Sequence, residues 1–227
     1  MRAHFGHQHW WPGETPFEVC VGAILTQNTA WSNVERAIQN LKRAVPLTPE
    51  ALLALAPEQL AQLIRPAGYF NVKTRRLRAF LEVLVHHYAA DLERLFEGDT
   101  AAVRTRLLAI PGIGRETADS MLLYAGGHLS FVVDAYTKRI FLRHGWWRPE
   151  ASPRRQGKTQ TAEEYESLKS LCESALNHVP TSERLDLWQD YHAQLVMVGK
   201  HFCRAAAPQC ESCPLRDLLP AGKPVVC

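Results

Sequence analysis

The chain has 227 residues, of which 46% are hydrophobic and 22% charged, and a formal net charge of +3 at pH 7. This composition predicts a folded globular protein of one large domain or two small lobes, and it argues against a disordered chain. The small net charge permits nucleic-acid binding without arguing for it, so the distribution of basic residues has to decide.

The first helices follow from capping and apolar patterns. Thr15-Pro16-Phe17-Glu18 has the form of a capping box with proline at the first helical position. Phe17 to Leu25 is apolar nearly all round, which predicts a central buried helix. Val19 to Leu25 is too short to span a bilayer, and Met1 to Phe17 has no signal-peptide pattern. We therefore expect a cytoplasmic protein that does not enter a membrane.

Helical patterns continue along the chain and no strand pattern interrupts them, so the predicted fold class is all-α. Asn71 to Tyr88 is the clearest amphipathic helix, and we expect most of the basic residues of its first turns to form a solvated face. The basic residues in the first turns of this helix are Lys73, Arg75, Arg76 and Arg78.

Arg148 to Thr161 is polar with proline and glycine, which indicates a surface loop or a lobe boundary.

Leu107 to Ala118 carries the most informative pattern. Pro111 ends one helix, Gly112 and Gly114 allow a tight turn with close backbone approach to another molecule, and a new helix begins at once. The N–H groups at that new N-terminus suit a phosphate, so the segment can grip a DNA backbone without reading sequence. Taken alone, a Gly-x-Gly pattern favours an ordinary tight turn between helices.

Twenty residues after Gly114 comes Asp134, followed by a basic stretch. The hairpin, the spaced aspartate and the basic stretch together resemble the helix-hairpin-helix DNA glycosylases, the family of endonuclease III, from about Phe17 to Cys213. The resemblance implies a two-lobed fold. A six-helix barrel lobe would span 17–133 with the hairpin at 110–118, and 1–16 with 134–227 would form a second helical lobe.

The resemblance also implies that Asp134 is catalytic. Breaking an N-glycosidic bond builds positive charge on the sugar, which a carboxylate stabilises while it orients or deprotonates a water. Asp134 as a helix N-cap is the structural alternative, and the two roles are compatible. The implied contacts to the DNA backbone are Pro111, Gly112, Ile113, Gly114, Arg115, Lys138 and Arg139.

Position 116 separates two mechanisms. Bifunctional members of the family carry a lysine there, which forms a Schiff base with the sugar and leads to strand cleavage. This chain has Glu116, and a carboxylate cannot form a Schiff base. The sequence therefore predicts a monofunctional, water-using glycosylase with weak or absent lyase activity.

Ile24 to Thr29 matches the family segment that wedges into the duplex, and Gln27 is the candidate to fill the gap left by a flipped base. Gln27 could instead cap the buried helix. The chain also resembles the 3-methyladenine DNA glycosylase III branch, whose aromatic pocket implies an alkylated purine as substrate; ordinary core packing is the alternative for these aromatic residues. The pocket candidates are Trp10, Trp11 and Trp31, with Lys200 where that branch has a lysine.

Cys203-x6-Cys210-x2-Cys213 is typical of metal ligands. The spacing resembles the [4Fe–4S] loop of endonuclease III, whose fourth cysteine would fall at Leu219 here, so Cys227 is the candidate fourth ligand. Zinc would also accept four thiolates. A monovalent cation at the hairpin completes the expected cofactors.

The expected partner is damaged double-stranded DNA, bound by a monomer. The leading hypothesis is a base-excision-repair glycosylase for alkylated purines. One alternative is an endonuclease III homologue for oxidised pyrimidines or mismatched bases, and another is an inactive iron–sulfur DNA-binding protein. Asp134 argues against the inactive protein, and Glu116 argues against a lyase.

Overall fold

The computed structural model describes residues 1–149 and 161–225. In these residues the regular backbone is helical throughout, which confirms the all-α class, and no described helix is long and apolar enough to cross a membrane. The helices are α1 (Arg2–Phe5), α2 (Pro16–Leu25), α3 (Trp31–Ala44), α4 (Pro49–Ala54), α5 (Pro57–Leu63), α6 (Phe70–Tyr88), α7 (Leu92–Phe96), α8 (Thr100–Leu108), α9 (Arg115–Tyr124), α10 (Ala135–His144), α11 (Ala162–Leu176) and α12 (Thr181–His201). Short 3-10 helices cover Arg65–Ala67, Cys210–Ser212, Arg216–Leu218 and Pro220–Gly222.

The chain divides into two compact units. The central unit is Trp11–Ser130, and the terminal unit consists of Met1–Trp10 with Phe131–Cys227. These divisions fall after residues 10 and 130, where the sequence had suggested 16 and 133. The predicted surface loop at 148–161 lies almost wholly outside the described residues.

Helix α2 lies in the core of the central unit, and every residue from Phe17 to Leu25 is buried, as the apolar pattern predicted. Thr15 starts the helix by accepting a hydrogen bond from the N–H of Glu18. The buried Glu18 carboxylate pairs with Lys42 at 2.8 Å, which offsets the cost of its burial. The buried packing of α2 therefore fixes the position of its C-terminal residue, Leu25, and Gln27 follows two residues later.

Helix α6 packs its apolar face on the same core, but its first turns differ from the solvated face that we expected. Lys73 is only 1% exposed. Its Nζ donates to the carbonyls of Leu25 at 2.8 Å and Ala67 at 2.7 Å, which lie where helical turns end and carbonyls lack helical partners. Burial and the nearby Arg76 lower the pKa of Lys73 to about 8. The prediction was wrong for Lys73 and right for the exposed Arg75.

In the terminal unit, α10 packs along α12, and α1 also contacts α12. Asp190 of α12 is buried and fixes the N-terminal segment, because its carboxylate accepts the Gln8 N–H at 2.8 Å and lies 3.7 Å from Arg2. Gln194, one turn further along, donates to the Gly6 carbonyl at 2.6 Å. The first ten residues are therefore integral to this unit.

Candidate functional site

The predicted hairpin joins α8 to α9 in the central unit. The Ile113 N–H donates to the Ile110 carbonyl at 3.1 Å and closes the turn. Gly112 has a φ of +91°, a left-handed conformation that favours glycine. Gly114 is the extended N-cap of α9, with no atom within 4 Å of the place where a Cβ would stand. Gly112 is thus needed for the turn, whereas Gly114 leaves the backbone open to close approach.

Side chains from α6 and from the end of α2 brace this hairpin. A Cβ on Gly112 would lie 2.2 Å from Cγ of Arg76, so the arginine stem packs directly on the turn. Arg76 donates to Oε1 of Gln27. Nε2 of Gln27 donates to the Gly112 carbonyl at 3.1 Å and to Oγ1 of Thr117 at 2.9 Å. The amide of Gln27 is therefore engaged by the hairpin, and its insertion into a duplex stays a prediction.

A buried ion pair holds the base of the hairpin. Asp119 on α9 has no exposed surface, and Arg104 on α8 donates to its two oxygens at 2.8 and 3.0 Å. Oγ of Ser130 donates to the same carboxylate at 2.6 Å. The direction in which the N-terminus of α9 points is therefore set by buried contacts as well as by the turn.

The hairpin residues divide between core and surface. Ile113 is buried in the core. Glu116 stands in the first turn of α9, where the helix dipole favours a carboxylate, and this helix contains no lysine. The exposed residues of the hairpin are Pro111, Gly112, Gly114, Arg115 and Glu116.

Asp134 is the N-cap of α10 in the terminal unit. Its Oδ1 accepts the Thr137 N–H at 2.7 Å, and its Oδ2 lies 3.7 Å from Nε2 of His192 on α12. The side chain is 13% exposed. Burial raises the pKa of Asp134, but His192 and the bonds from Thr137 outweigh that effect, so the net pKa is below the ordinary aspartate value. The arrangement keeps an almost buried carboxylate anionic.

The basic side chains of α10 are engaged within the terminal unit. Lys138 pairs with Glu164 at 2.7 Å. Arg139 donates to the carbonyls of Cys203 at 2.6 Å and Gly199 at 3.2 Å. These contacts give both residues a structural role, and their predicted contact with the DNA backbone stays a prediction.

Three aromatic rings form a cluster in the central unit. Trp11 meets Trp31 edge to face with ring centroids 5.5 Å apart, and it meets Tyr124 at 5.1 Å. Gly22 of α2 makes room for the cluster, since a Cβ there would lie 3.2 Å from Trp31. Tyr124 was not singled out from the sequence. The sequence feature that could have identified it is its position as the last residue of α9, the helix that begins at the hairpin.

The two remaining pocket candidates belong to the terminal unit. Trp10 is half-buried at the end of the N-terminal segment, and Lys200 is exposed near the end of α12. Their place in a base pocket stays a prediction.

Three of the four predicted metal ligands are described, and they line one cavity together with Arg143. Nη1 of Arg143 donates to Sγ of Cys203 at 3.3 Å. Burial, with the neighbouring Cys203 and Cys210, raises the pKa of the Cys213 thiol. No three histidine, cysteine or acidic side chains among the described residues are grouped to hold a metal ion. Cys227 lies outside the described residues, and a four-thiolate site stays a prediction.

The exposed aromatic residue Tyr69 was not singled out from the sequence. Tyr69 precedes α6 with a φ of +46° and is 73% exposed. The chain around it is anchored, since Lys73 binds the nearby Ala67 carbonyl and the end of α2. The available signal was an aromatic residue directly after Gly68 at the start of a basic helix.

Comparisons with known proteins agree with this geometry. The family model of the HhH-GPD superfamily of base excision DNA repair proteins matches residues 21–173. A candidate DNA repair glycosylase of Methanocaldococcus jannaschii is 43% identical over 215 residues, which are 94% of this chain and 90% of that protein. Endonuclease III of Thermotoga maritima is 30% identical over 203 residues, 89% of this chain and 81% of its own length.

A solved structure supports the fold. The H. pylori 3-methyladenine DNA glycosylase bound to 1,N6-ethenoadenine superimposes with a TM-score of 0.67 at 27% identity. The match covers 84% of this chain and 87% of that one.

Proposed function

Since the chain belongs to the HhH-GPD superfamily and is an endonuclease III-like DNA glycosylase of base excision repair, we propose that it is monofunctional and releases an alkylated purine by hydrolysis. The observation that carries the proposal is Glu116. It occupies the first turn of α9, where a lyase would need an amine, and α9 has no lysine. Water is then the nucleophile that remains.

Asp134 supplies the electrostatic part of this reaction. Departure of the base builds positive charge on the sugar, and a carboxylate that is already anionic stabilises that charge without reorganising. The low pKa of Asp134 supports this role, because the anion persists at neutral and mildly acidic pH. The same anion can orient the attacking water.

The aromatic cluster supports the substrate class. An N-alkylated purine is electron-poor and cationic, and each indole face can contribute roughly 0.5–2 kcal/mol of cation–π attraction. Trp11 and Trp31 provide indole faces with ring centroids 5.5 Å apart, and the phenol ring of Tyr124 lies 5.1 Å from Trp11. The structural likeness to a glycosylase bound to ethenoadenine points the same way. Trp10 and Lys200 are further pocket candidates that rest on the family resemblance alone.

The hairpin is the proposed grip on double-stranded DNA. Gly114 offers an open helix N-terminus, which suits a phosphate whatever the sequence, and a monovalent cation at this turn stays a prediction. Gln27 and the exposed Tyr69 are the candidates to enter the duplex beside a flipped base. We propose that one copy of the chain binds one lesion.

The decisive experiment measures single-turnover base release by Asp134→Asn. Asparagine is also a good N-cap, so α10 should persist while excision falls by about 100-fold or more. Asp99→Asn is the matched control, because Asp99 caps α8 in the same way through Ala102 N–H. Full excision by Asp134→Asn would remove the residue from the mechanism.

Lyase activity is tested on the wild-type protein. Borohydride should trap no covalent complex, and the product should be intact abasic DNA. A trapped complex would show that a lysine elsewhere in the chain attacks the sugar, and the monofunctional assignment would be wrong.

The sequence relationship to endonuclease III favours a second substrate class, oxidised pyrimidines or mismatched bases. Duplexes that each carry one defined lesion separate the two classes. We expect release of 3-methyladenine or ethenoadenine at least tenfold faster than release of thymine glycol or a mismatched thymine, with Trp31→Ala losing this preference. The reverse order would assign the second class, and no release from any duplex would leave a DNA-binding protein.

We propose a [4Fe–4S] cluster on Cys203, Cys210 and Cys213, with Cys227 as fourth ligand. Three thiols on one cavity beside a buried arginine fit a negatively charged thiolate cluster. When bound, the cluster would cross-link the C-terminal loop. Purified protein should be brown with broad visible absorption, whereas colourless protein with stoichiometric zinc would assign zinc. Unchanged iron content in Cys227→Ser would exclude Cys227 as a ligand.

A further inference from the structure

The two oxygens of Asp134 have different surroundings within the terminal unit. Oδ1 accepts the capping bond from Thr137 N–H at 2.7 Å. Oδ2 lies 3.7 Å from Nε2 of His192. Because the cap occupies Oδ1, Oδ2 is the oxygen left for chemistry, and His192 stands beside it.

His192 is fixed in place by its surroundings. It is buried in the middle of α12, and its ring meets Phe131 edge to face at 6.2 Å between centroids. Phe131 lies three residues before Asp134, and its N–H donates to Glu173 at 2.9 Å. One short segment, 131–134, therefore carries both Asp134 and a ring that holds His192.

Several charged or titratable groups of α10, α12 and α1 have contacts of their own. On α10 these are Lys138 with Glu164, Arg139 with the Cys203 and Gly199 carbonyls, Arg143 with Cys203, and His144 with the Leu218 carbonyl. On α12 and α1 they are Asp190 with Gln8 and Arg2, Asp186 with His7, Tyr191 with the Phe131 ring, and His4 with the rings of Phe5 and Phe202. None of these contacts includes His192 or Oδ2 of Asp134.

We propose that His192 is a positioning residue for Asp134, which orients Oδ2 and keeps the buried carboxylate anionic. This inference rests on the proposed function, because it gives a partner to the carboxylate that the reaction uses. It assigns no contact between His192 and DNA.

The proposal has a consequence for pH dependence. Burial alone raises the pKa of Asp134, and His192 with Thr137 brings it down. Loss of His192 should therefore move protonation of Asp134 to higher pH. Since only the anion stabilises a developing sugar cation, excision should begin to fail at a higher pH than in the wild-type protein.

The experiment measures single-turnover excision against pH for wild type, His192→Gln and His192→Phe. In both variants the acid limb should move up by about one pH unit. Glutamine keeps an N–H that can face Oδ2, whereas phenylalanine has no polar group to orient it, so the plateau rate should fall by roughly tenfold only in His192→Phe. DNA affinity should not change. His178→Gln is the matched control, since His178 is exposed at the end of α11.

Asp134→Asn is measured alongside to separate two failures. If it is inactive while both His192 variants follow the wild-type profile at every pH, the inference is overturned and the proposed function stands. If it excises at the wild-type rate, the proposed function fails. Should the His192 variants not fold, proton NMR of wild type and Asp134→Asn at one pH decides. The ring signals of His192 should shift and those of His178 should not, and unmoved His192 signals would overturn the inference.

Discussion

Two helix N-termini take part in the proposed reaction, and they differ in how they are capped. In the central unit, α9 begins at Gly114, which contributes no side chain and has open surroundings. In the terminal unit, α10 begins at Asp134, whose own carboxylate caps the helix. An open N-terminus attracts an external anion, whereas one that holds its own anion repels a phosphate and favours a cation. The contrast supports the proposal that α9 meets the DNA backbone and that α10 faces the developing sugar cation.

The largest expected effect comes from breaking the support of the open N-terminus. Asp119→Asn removes the fully buried carboxylate that Arg104 and Ser130 bind, and removing one partner of a buried ion pair costs about 3–5 kcal/mol of unfolding free energy. Urea denaturation measures the loss. The control is Glu82→Gln, which breaks a surface contact with Arg78 at 4.0 Å and should cost less than about 1 kcal/mol. Equal losses in the two variants would mean that the hairpin does not depend on its buried ion pair.

The next effect concerns Lys73, which anchors the end of α2 beside the hairpin brace. Lys73→Met leaves the buried carbonyls of Leu25 and Ala67 without their donor, at a cost of about 2 kcal/mol at pH 7. The pKa of Lys73 is about 8 in the folded protein and 10.5 for an ordinary lysine. The unfolded chain therefore binds more protons between these values, and stability from this group rises with pH across that window.

The stability gap between wild type and Lys73→Met should therefore widen from pH 8 to pH 10, which thermal unfolding at several pH values can follow. Arg75→Met is the control, because Arg75 is exposed on the same helix. A gap that stays constant with pH would mean that burial does not depress the pKa of Lys73.

A smaller effect tests the open end itself. Gly114→Leu should fold, since no atom lies near the new Cβ, but should bind any duplex about tenfold more weakly, because a phosphate can no longer approach. Fluorescence anisotropy on undamaged DNA measures this. Ala56→Leu is the matched control, because Ala56 is an exposed N-cap without a capping side chain, on α5. Gly112→Ala cannot replace this variant, since the new Cβ would lie 2.2 Å from Cγ of Arg76 and the residue would strain the turn.

Unchanged affinity in Gly114→Leu would reduce the hairpin to an ordinary connection. The contrast between α9 and α10 would then lose its functional meaning.

Local patterns explain why much of this fold was accessible from sequence. The capping bond of Thr15, the buried α2 and the turn at Gly112 depend on residues close together in the chain, and each was predicted. Lys73 was predicted wrongly, because its carbonyl partners lie 48 and 6 residues away and only the packed structure brings Leu25 to it. A periodic pattern shows which residues share a face but not which buried acceptors that face will meet.

The site shows the same division. Asp134 and Glu116 were singled out because a family pattern places them at fixed spacing, and their roles stay predictions. His192 is separated from Asp134 by 58 positions, and its signal was only a histidine on the apolar face of α12 with Trp188 and Leu195. An apolar-face histidine is usually core, so sequence alone could not give it a partner.

The smallest expected effect compares two cations, one beside each helix N-terminus. Arg115 is exposed in the first turn of α9, beside the N-terminus proposed to receive a phosphate, so Arg115→Met should reduce the salt dependence of DNA binding by about one ion. Lys138 on α10 lies beside the N-terminus that Asp134 caps, and it pairs with Glu164 at 2.7 Å, so Lys138→Met should leave the slope unchanged within error. Binding measured between 50 and 200 mM salt gives both slopes, a range over which each phosphate contact is visible. An equal reduction in the two variants would mean that the Lys138–Glu164 pair opens on DNA and that a phosphate also reaches the start of α10. The proposal that only the α9 N-terminus binds the DNA backbone would then be wrong.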